Sequence, residues 1–209
     1  LRIIDINLAK GNTQKALAQI DSFKRNFKKD NEKIILKIKE SQANFYGGNF
    51  QSAGDSLIQI LKDLPKDASS YNDLLDVQSI ILAFTDEDEA FTIFAQIQLL
   101  IRQNKRMQAL DLLSTQNEVK NDFVKDIFLY QSAYLCVLQD EFELATEKLS
   151  LVSGETIFSE MAVILHAEIL DYLVGNIGTA IDIYLKFLED YPLSIYYDDI
   201  RIRLRELAS

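Results

Sequence analysis

The stretch Gly48-Asn49-Phe50-Gln51-Ser52-Ala53, continued by Leu57, Ile60 and Leu61 and ended by Pro65, decides the fold. Glycine is the residue that adopts a left-handed backbone at least cost, so Gly48 marks a sharp turn. Five positions on, alanine offers the smallest side chain that still favours a helix, which suits a close crossing against the preceding helix. Ala53, Leu57, Ile60 and Leu61 then recur at helical spacing and give one apolar face. Proline has no amide hydrogen and cannot continue a helix, so Pro65 marks its end.

The element recurs. It reads Gly11-Asn-Thr-Gln-Lys-Ala16, Asn104-Lys-Arg-Met-Gln-Ala109, Asp140-Glu-Phe-Glu-Leu-Ala145 and Gly175-Asn-Ile-Gly-Thr-Ala180. The five alanines are spaced 37, 56, 36 and 35 residues apart. The only other proline, Pro192, lies 12 residues after Ala180, as Pro65 lies 12 after Ala53. Two prolines in one register give an independent check on the repeat. With only 7 Gly and 2 Pro in 209 residues, the many tight turns of a β-sandwich are not supplied. The sequence therefore predicts helices near 1–10, 13–28, 31–47, 50–64, 69–84, 86–103, 106–115, 121–138, 142–151, 156–174, 177–190 and 194–207.

At this register the chain resembles the tetratricopeptide repeat family. Gly48, Phe50, Ala53 and Pro65 match that family's pattern, as do Gly175, Ala180, Tyr184 and Pro192, and Ala133 stands where a first helix carries a small residue. Trp is absent, and Asn104 and Asp140 replace the turn glycine. The resemblance implies an all-α, right-handed solenoid of helix-turn-helix pairs forming one domain over 1–209, with repeats near 1–28, 31–65, 86–115, 121–151 and 156–192. The long interval of 56 is expected to hold an extra helix, 69–84, with Leu74, Leu75, Val77, Ile80, Ile81 and Phe84 on one broad apolar face. Thr85, followed by Asp86-Glu87-Asp88-Glu89, is expected to cap the next helix. A last helix, 194–207, bearing Arg201, Arg203 and Arg205, is expected to close the stack with a soluble face.

Composition narrows function. A net charge of −10 argues against general nucleic-acid binding. The charge is uneven: residues 1–70 hold 12 Lys and Arg against 8 Asp and Glu, and residues 71–209 hold 10 against 24. No apolar run approaches the roughly 20 residues of a membrane span. A single cysteine, Cys136, excludes an internal disulfide framework and reads as a buried thiol. The single histidine, His166, excludes a paired-histidine metal site, and no G-x-S-x-G or phosphate-loop pattern is present. Asp86 to Glu89 lacks the alternating acids and central glycine of a calcium loop. Lys24, Arg25, Lys28 and Lys29 read as cations at a helix C-terminus. The expectation is a protein that is not an enzyme and uses no metal or cofactor.

The family resemblance further implies that first helices line a concave surface that holds a peptide or partner domain. In that register Phe94, Gln98, Tyr130, Tyr134, His166 and Tyr172 face the groove. The segment 187–207 also looks like repeats of bacterial envelope proteins such as outer-membrane assembly lipoproteins. That likeness implies the periplasm and an alternative role as a structural subunit of an envelope or secretion assembly. The chain opens at Leu1 inside a helical pattern, as expected for a piece of a longer protein whose signal peptide or lipid anchor would lie upstream.

Overall fold

A computed structural model describes the chain except residues 28, 117–118, 153–155 and 209. Lys28 of the basic cluster thus lies outside the described residues. The described residues form twelve α-helices and one π-helical segment, with no strand among them. They divide into two compact units, Leu1–Leu112 and Leu113–Ser209.

The first unit holds α1 (Arg2–Ala9), α2 (Thr13–Lys24), α3 (Asp30–Tyr46), α4 (Phe50–Asp63), α5 (Tyr71–Ala83), α6 (Asp88–Arg102) and all but the last two residues of α7 (Arg106–Ser114). The second holds α8 (Asp122–Val137), α9 (Phe142–Ser150), α10 (Ile157–Glu168), a π-helical turn (Ile169–Val174), α11 (Ile177–Asp190) and α12 (Tyr197–Leu207). Consecutive helices pack as hairpins, α1 on α2, α3 on α4, α8 on α9 and α10 on α11. First helices also pack on first helices, α1 and α6 against α3 in one unit and α8 against α10 in the other.

The repeated element does in space what its chemistry requires. Gly11, Gly48, Asn104, Asp140 and Gly175 all have positive φ, between 57° and 78°. Ala16, Ala53, Ala109, Ala145 and Ala180 are all fully buried. Each of these alanines donates its amide to the carbonyl four residues back, at Asn12, Asn49, Lys105, Glu141 and Asn176, in the first turn of its helix. The residue after each turn residue bonds back to the end of the preceding helix. Asn12 donates to Asn7 at 2.8 Å, Asn49 to Asn44 at 2.8 Å, Lys105 to Leu100 at 2.9 Å and Glu141 to Cys136 at 3.0 Å, each five residues back. These bonds satisfy helix-end carbonyls that would otherwise have no partner.

The fifth turn differs by one residue. Asn176 donates to Leu170, six back, at 2.8 Å. The extra residue is taken up by the π-helical turn Ile169–Val174, so what the sequence predicts as one α-helix over 156–174 changes pitch at Ile169. π-turns of this kind are inserted residues kept within a helix.

Both prolines fall two residues after the last residue of a helix, Pro65 after Asp63 of α4 and Pro192 after Asp190 of α11. The core of the first hairpins is Ile4, Leu8, Ala16, Ile20, Leu36 and Ala43. In the second unit Ala167, Ala180, Tyr184, Phe187 and Ile200 form a cluster that α12 closes. Each large side chain so buried contributes about 1.5–3 kcal/mol.

Three local expectations change. α2 ends at Lys24 instead of 28; Asn26 and Phe27 both donate to the Phe23 carbonyl, and the Phe23 and Phe27 rings stack 5.5 Å apart. Thr85 does not cap α6. Its hydroxyl donates backward to the Leu82 carbonyl at 2.7 Å, Asp86 takes φ 68°, and the helix starts at Asp88 after Glu87. The extra helix α5 exists and packs on α4, but it buries none of its residues, and Leu75, Val77 and Leu82 are exposed.

Candidate protein-binding surface

The six residues expected to face a groove divide between the units. Phe94 and Gln98 belong to the first. Phe94 is buried in a cluster of rings with Phe45, Phe50, Phe84 and Phe91; Phe84 lies 4.9 Å from it and Phe45 6.0 Å. It cements α3, α4 and α6 together and presents no surface to a partner. Gln98 is half-buried, and its Nε2 is enclosed with no hydrogen-bond partner among the described residues.

The other four lie on the first helices of the second unit's hairpins. On α8, Tyr130, Tyr134 and Leu138, at its C-terminal cap, follow one another at four-residue spacing and so share a stripe. Tyr134 is 50% exposed, while Tyr130 is half-buried with its ring 5.6 Å from Phe158. The start of this helix is set by Asn121, whose side-chain oxygen accepts from the amides of Phe123 and Val124. A second fixed point is Asp126, buried in α8, which accepts from the Thr156 hydroxyl at 2.8 Å; Thr156 in turn caps α10 reciprocally with Ser159. The two first helices of this unit are thereby tied at one end.

Burial raises the Tyr130 phenol pKa, and Glu168, Tyr196 and Tyr134 raise it further. The structure thus brings Tyr130 and Tyr134 together with two residues the sequence does not single out, Glu168 and Tyr196. Partial burial holds the Glu168 carboxyl above its usual range, with Asp171 adding to the shift. His166 is half-buried, and burial lowers its pKa from the ordinary imidazole value. Cys136 is fully buried and its thiol is pushed up by burial, which suits packing and not reactivity.

Tyr172 sits in the π-turn and is 60% exposed. The Arg203 guanidinium lies 4.5 Å from its ring centroid. That guanidinium is held by Asp171, whose two oxygens take bonds of 2.8 and 2.9 Å from Nε and a terminal nitrogen. Tyr184 donates a further, longer bond to the same carboxylate at 3.3 Å. The hydrogen bonds from Arg203 hold Asp171 below the usual carboxylate range against the opposing effect of its burial. Arg203 therefore points into the stack rather than outward, and α12 is anchored through it to the π-turn. The sequence carries one signal for this. Arg201 and Arg205 are four apart and share a helix face, whereas Arg203, two from each, must lie on the other side.

Tyr134, Tyr130, Glu168 and Tyr196, with Tyr172 on the following π-turn, offer ring faces, phenol hydroxyls and one carboxylate. Such a set binds by apolar contact, hydrogen bonding and attraction for a cation. No protein-family model matches the chain, and comparison with curated proteins and with solved structures finds no match.

Proposed function

We propose that the chain is a tetratricopeptide-type scaffold that holds a peptide or partner domain on the first-helix face of its second unit and catalyses no reaction. The observation that supports this reading is the exposure of Tyr134 on α8, where Tyr130 interacts with it and with Glu168 and Tyr196, together with the exposure of Tyr172 on the π-turn that ends the first helix of the next hairpin. Exposed tyrosines on rigid elements are frequent anchors at interfaces. Glu168 favours a partner that carries positive charge among apolar side chains, and salt should weaken the complex. No helix among the described residues is long and apolar enough to cross a membrane.

The test is a photo-crosslinker placed at Tyr134 and, as a control, at the exposed Lys186 of α11, with exposure to light in the native cell. A discrete protein adduct from position 134 and none from 186 supports the reading. Adducts from both positions, or from neither, contradict it.

A second reading is a structural subunit of a bacterial envelope assembly. Leu193 and Ile195 favour it, being 96% and 85% exposed in the loop between α11 and α12, with Ile202 exposed on α12. Apolar side chains set out in this way are covered in a permanent complex. In that case the double change Leu193→Ser, Ile195→Ser would release the chain from its complex while Tyr134→Ala would not.

A further inference from the structure

The first unit carries a cleft that the repeat does not account for. It lies between the start of α4, the end of α5 and the start of α6, and its volume is about 730 Å³. That is within the range of roughly 300–1,000 Å³ typical of sites that enclose small molecules or clustered side chains. Its apolar wall is formed by Phe50, Ile58, Ile81, Leu82 and Phe91. Phe50 and Phe91 stack at 4.0 Å, which makes that wall rigid.

Three carboxylates line the same cleft: Asp55, Asp86 and Asp88. Asp55 accepts a bond from Gln51, a neutral group. No ion pair to any of the three is present among the described residues, and no Lys or Arg lines the cleft. Elsewhere in this unit the acids facing lysines are paired, Asp63 with Lys37 at 2.7 Å and Glu40 with Lys24 at 2.6 Å.

The helix that forms one wall is itself incompletely covered. α5 packs chiefly on α4, buries none of its own residues and leaves Leu82 60% exposed at the cleft. Apolar surface beside unpaired carboxylates is complementary to a chain with apolar side chains and positive charge. It repels anionic ligands such as nucleic acid or acidic lipid.

We infer that this cleft is a second binding site, and that it takes a basic, apolar segment of a partner protein. Leucine-like side chains of that segment lie against Ile58 and Leu82, and Lys or Arg side chains reach Asp55, Asp86 and Asp88. The inference does not depend on the tyrosine surface of the second unit, and its test separates the two.

The test measures anisotropy of a fluorescein-labelled amphipathic helical peptide built from leucine and lysine, and of the same peptide with each lysine replaced by glutamate. The full chain is expected to bind the lysine peptide and not the glutamate peptide. The triple change Asp55→Asn, Asp86→Asn, Asp88→Asn should weaken the lysine peptide on the order of tenfold. Asn at 86 also tolerates the positive φ there. The single change Leu82→Ser, on an exposed side chain, should weaken it by several-fold with an unchanged thermal melt. Tyr134→Ala should leave it unaltered. Equal binding of both peptides overturns the inference, as does parental affinity in both cleft variants. Loss of binding in Tyr134→Ala with none in the cleft variants also overturns it and assigns the peptide to the second unit.

Discussion

α5 and α12 are both helices outside the five recurring turns, and they are attached in opposite ways. By sequence α5 is much the more apolar, with Leu74, Leu75, Val77, Ile80, Ile81 and Leu82 within one helix of 13 residues. Yet it buries none of them. α12, Tyr-Asp-Asp-Ile-Arg-Ile-Arg-Leu-Arg-Glu-Leu, is strongly polar, yet it places Ile200 in the core cluster and fastens Arg203 to the buried Asp171. Apolar composition says how much surface a helix would gain by burying, but not whether a neighbour is present to bury it. A polar helix with one core residue and a fork-shaped ion pair is fixed, whereas an apolar helix that buries none of its side chains remains a surface.

The largest effect expected from this contrast comes from truncating one aliphatic side chain on each helix. Ile200→Ala removes a buried side chain and should cost about 2–5 kcal/mol by chemical denaturation. Leu82→Ala, on a side chain 60% exposed, should stay within about 0.5 kcal/mol of the parent. Equal losses at the two positions would mean that α5 is as well packed as α12. The next test moves to the hairpins that carry these helices. Ala53→Leu and Ala180→Leu each force a larger side chain into a fully buried crossing and should each destabilise by about 1–3 kcal/mol. Parental stability in both variants would show that these alanines do not set the helix crossings.

A smaller effect of opposite sign is expected within α4, under α5. A Cβ added at Gly54 would meet only Ile81 Cγ2, at an ordinary 3.7 Å. Gly54→Ala should therefore raise stability by about 0.5–1 kcal/mol, because a mid-helix glycine is entropically costly. A loss instead would mean that α5 lies closer to α4 than this distance allows.

The smallest effect near neutral pH concerns α12. The carboxyl of Asp171 is depressed in the folded protein, so its contribution is fully present above the unfolded value of about 3.9. It is lost as pH falls from there through the lower folded value. Amide exchange in α12 should accelerate in that acid range, and Asp171→Asn should remove the acid-induced change. His166 gives a separate readout. Its lowered pKa predicts that the sole histidine's proton resonance titrates below about 6.5.

The hairpins were legible because their signals are local. A positive φ demands Gly, Asn or Asp, a close crossing demands Ala, and a stop permits Pro; all three needs are met within single stretches such as Gly48 to Pro65. The pitch change at Ile169 was not legible, since a π-turn alters hydrogen bonds without altering apolar spacing enough to read. Nor was the placement of Thr85, whose hydroxyl could serve the helix on either side. The candidate surface was harder still. Phe94 and Tyr134 look alike as aromatic residues on first helices, and only the packing of Phe84 and Phe45 on Phe94 separates a core ring from an exposed one. Asp171 with Arg203, and Asp55 with Asp86 and Asp88, are brought together by tertiary structure across intervals that carry no pattern.

Hydrogen–deuterium exchange of the full chain, read helix by helix, tests most directly the claim that α12 is locked and α5 is left open to bind. The account predicts that α12 exchanges nearly as slowly as α11, that α5 exchanges well ahead of α4, and that the lysine peptide slows α5 and the starts of α4 and α6 while leaving α12 unchanged. An α5 as protected as α4 in the free chain, or an α12 that exchanges as fast as α5, would contradict it.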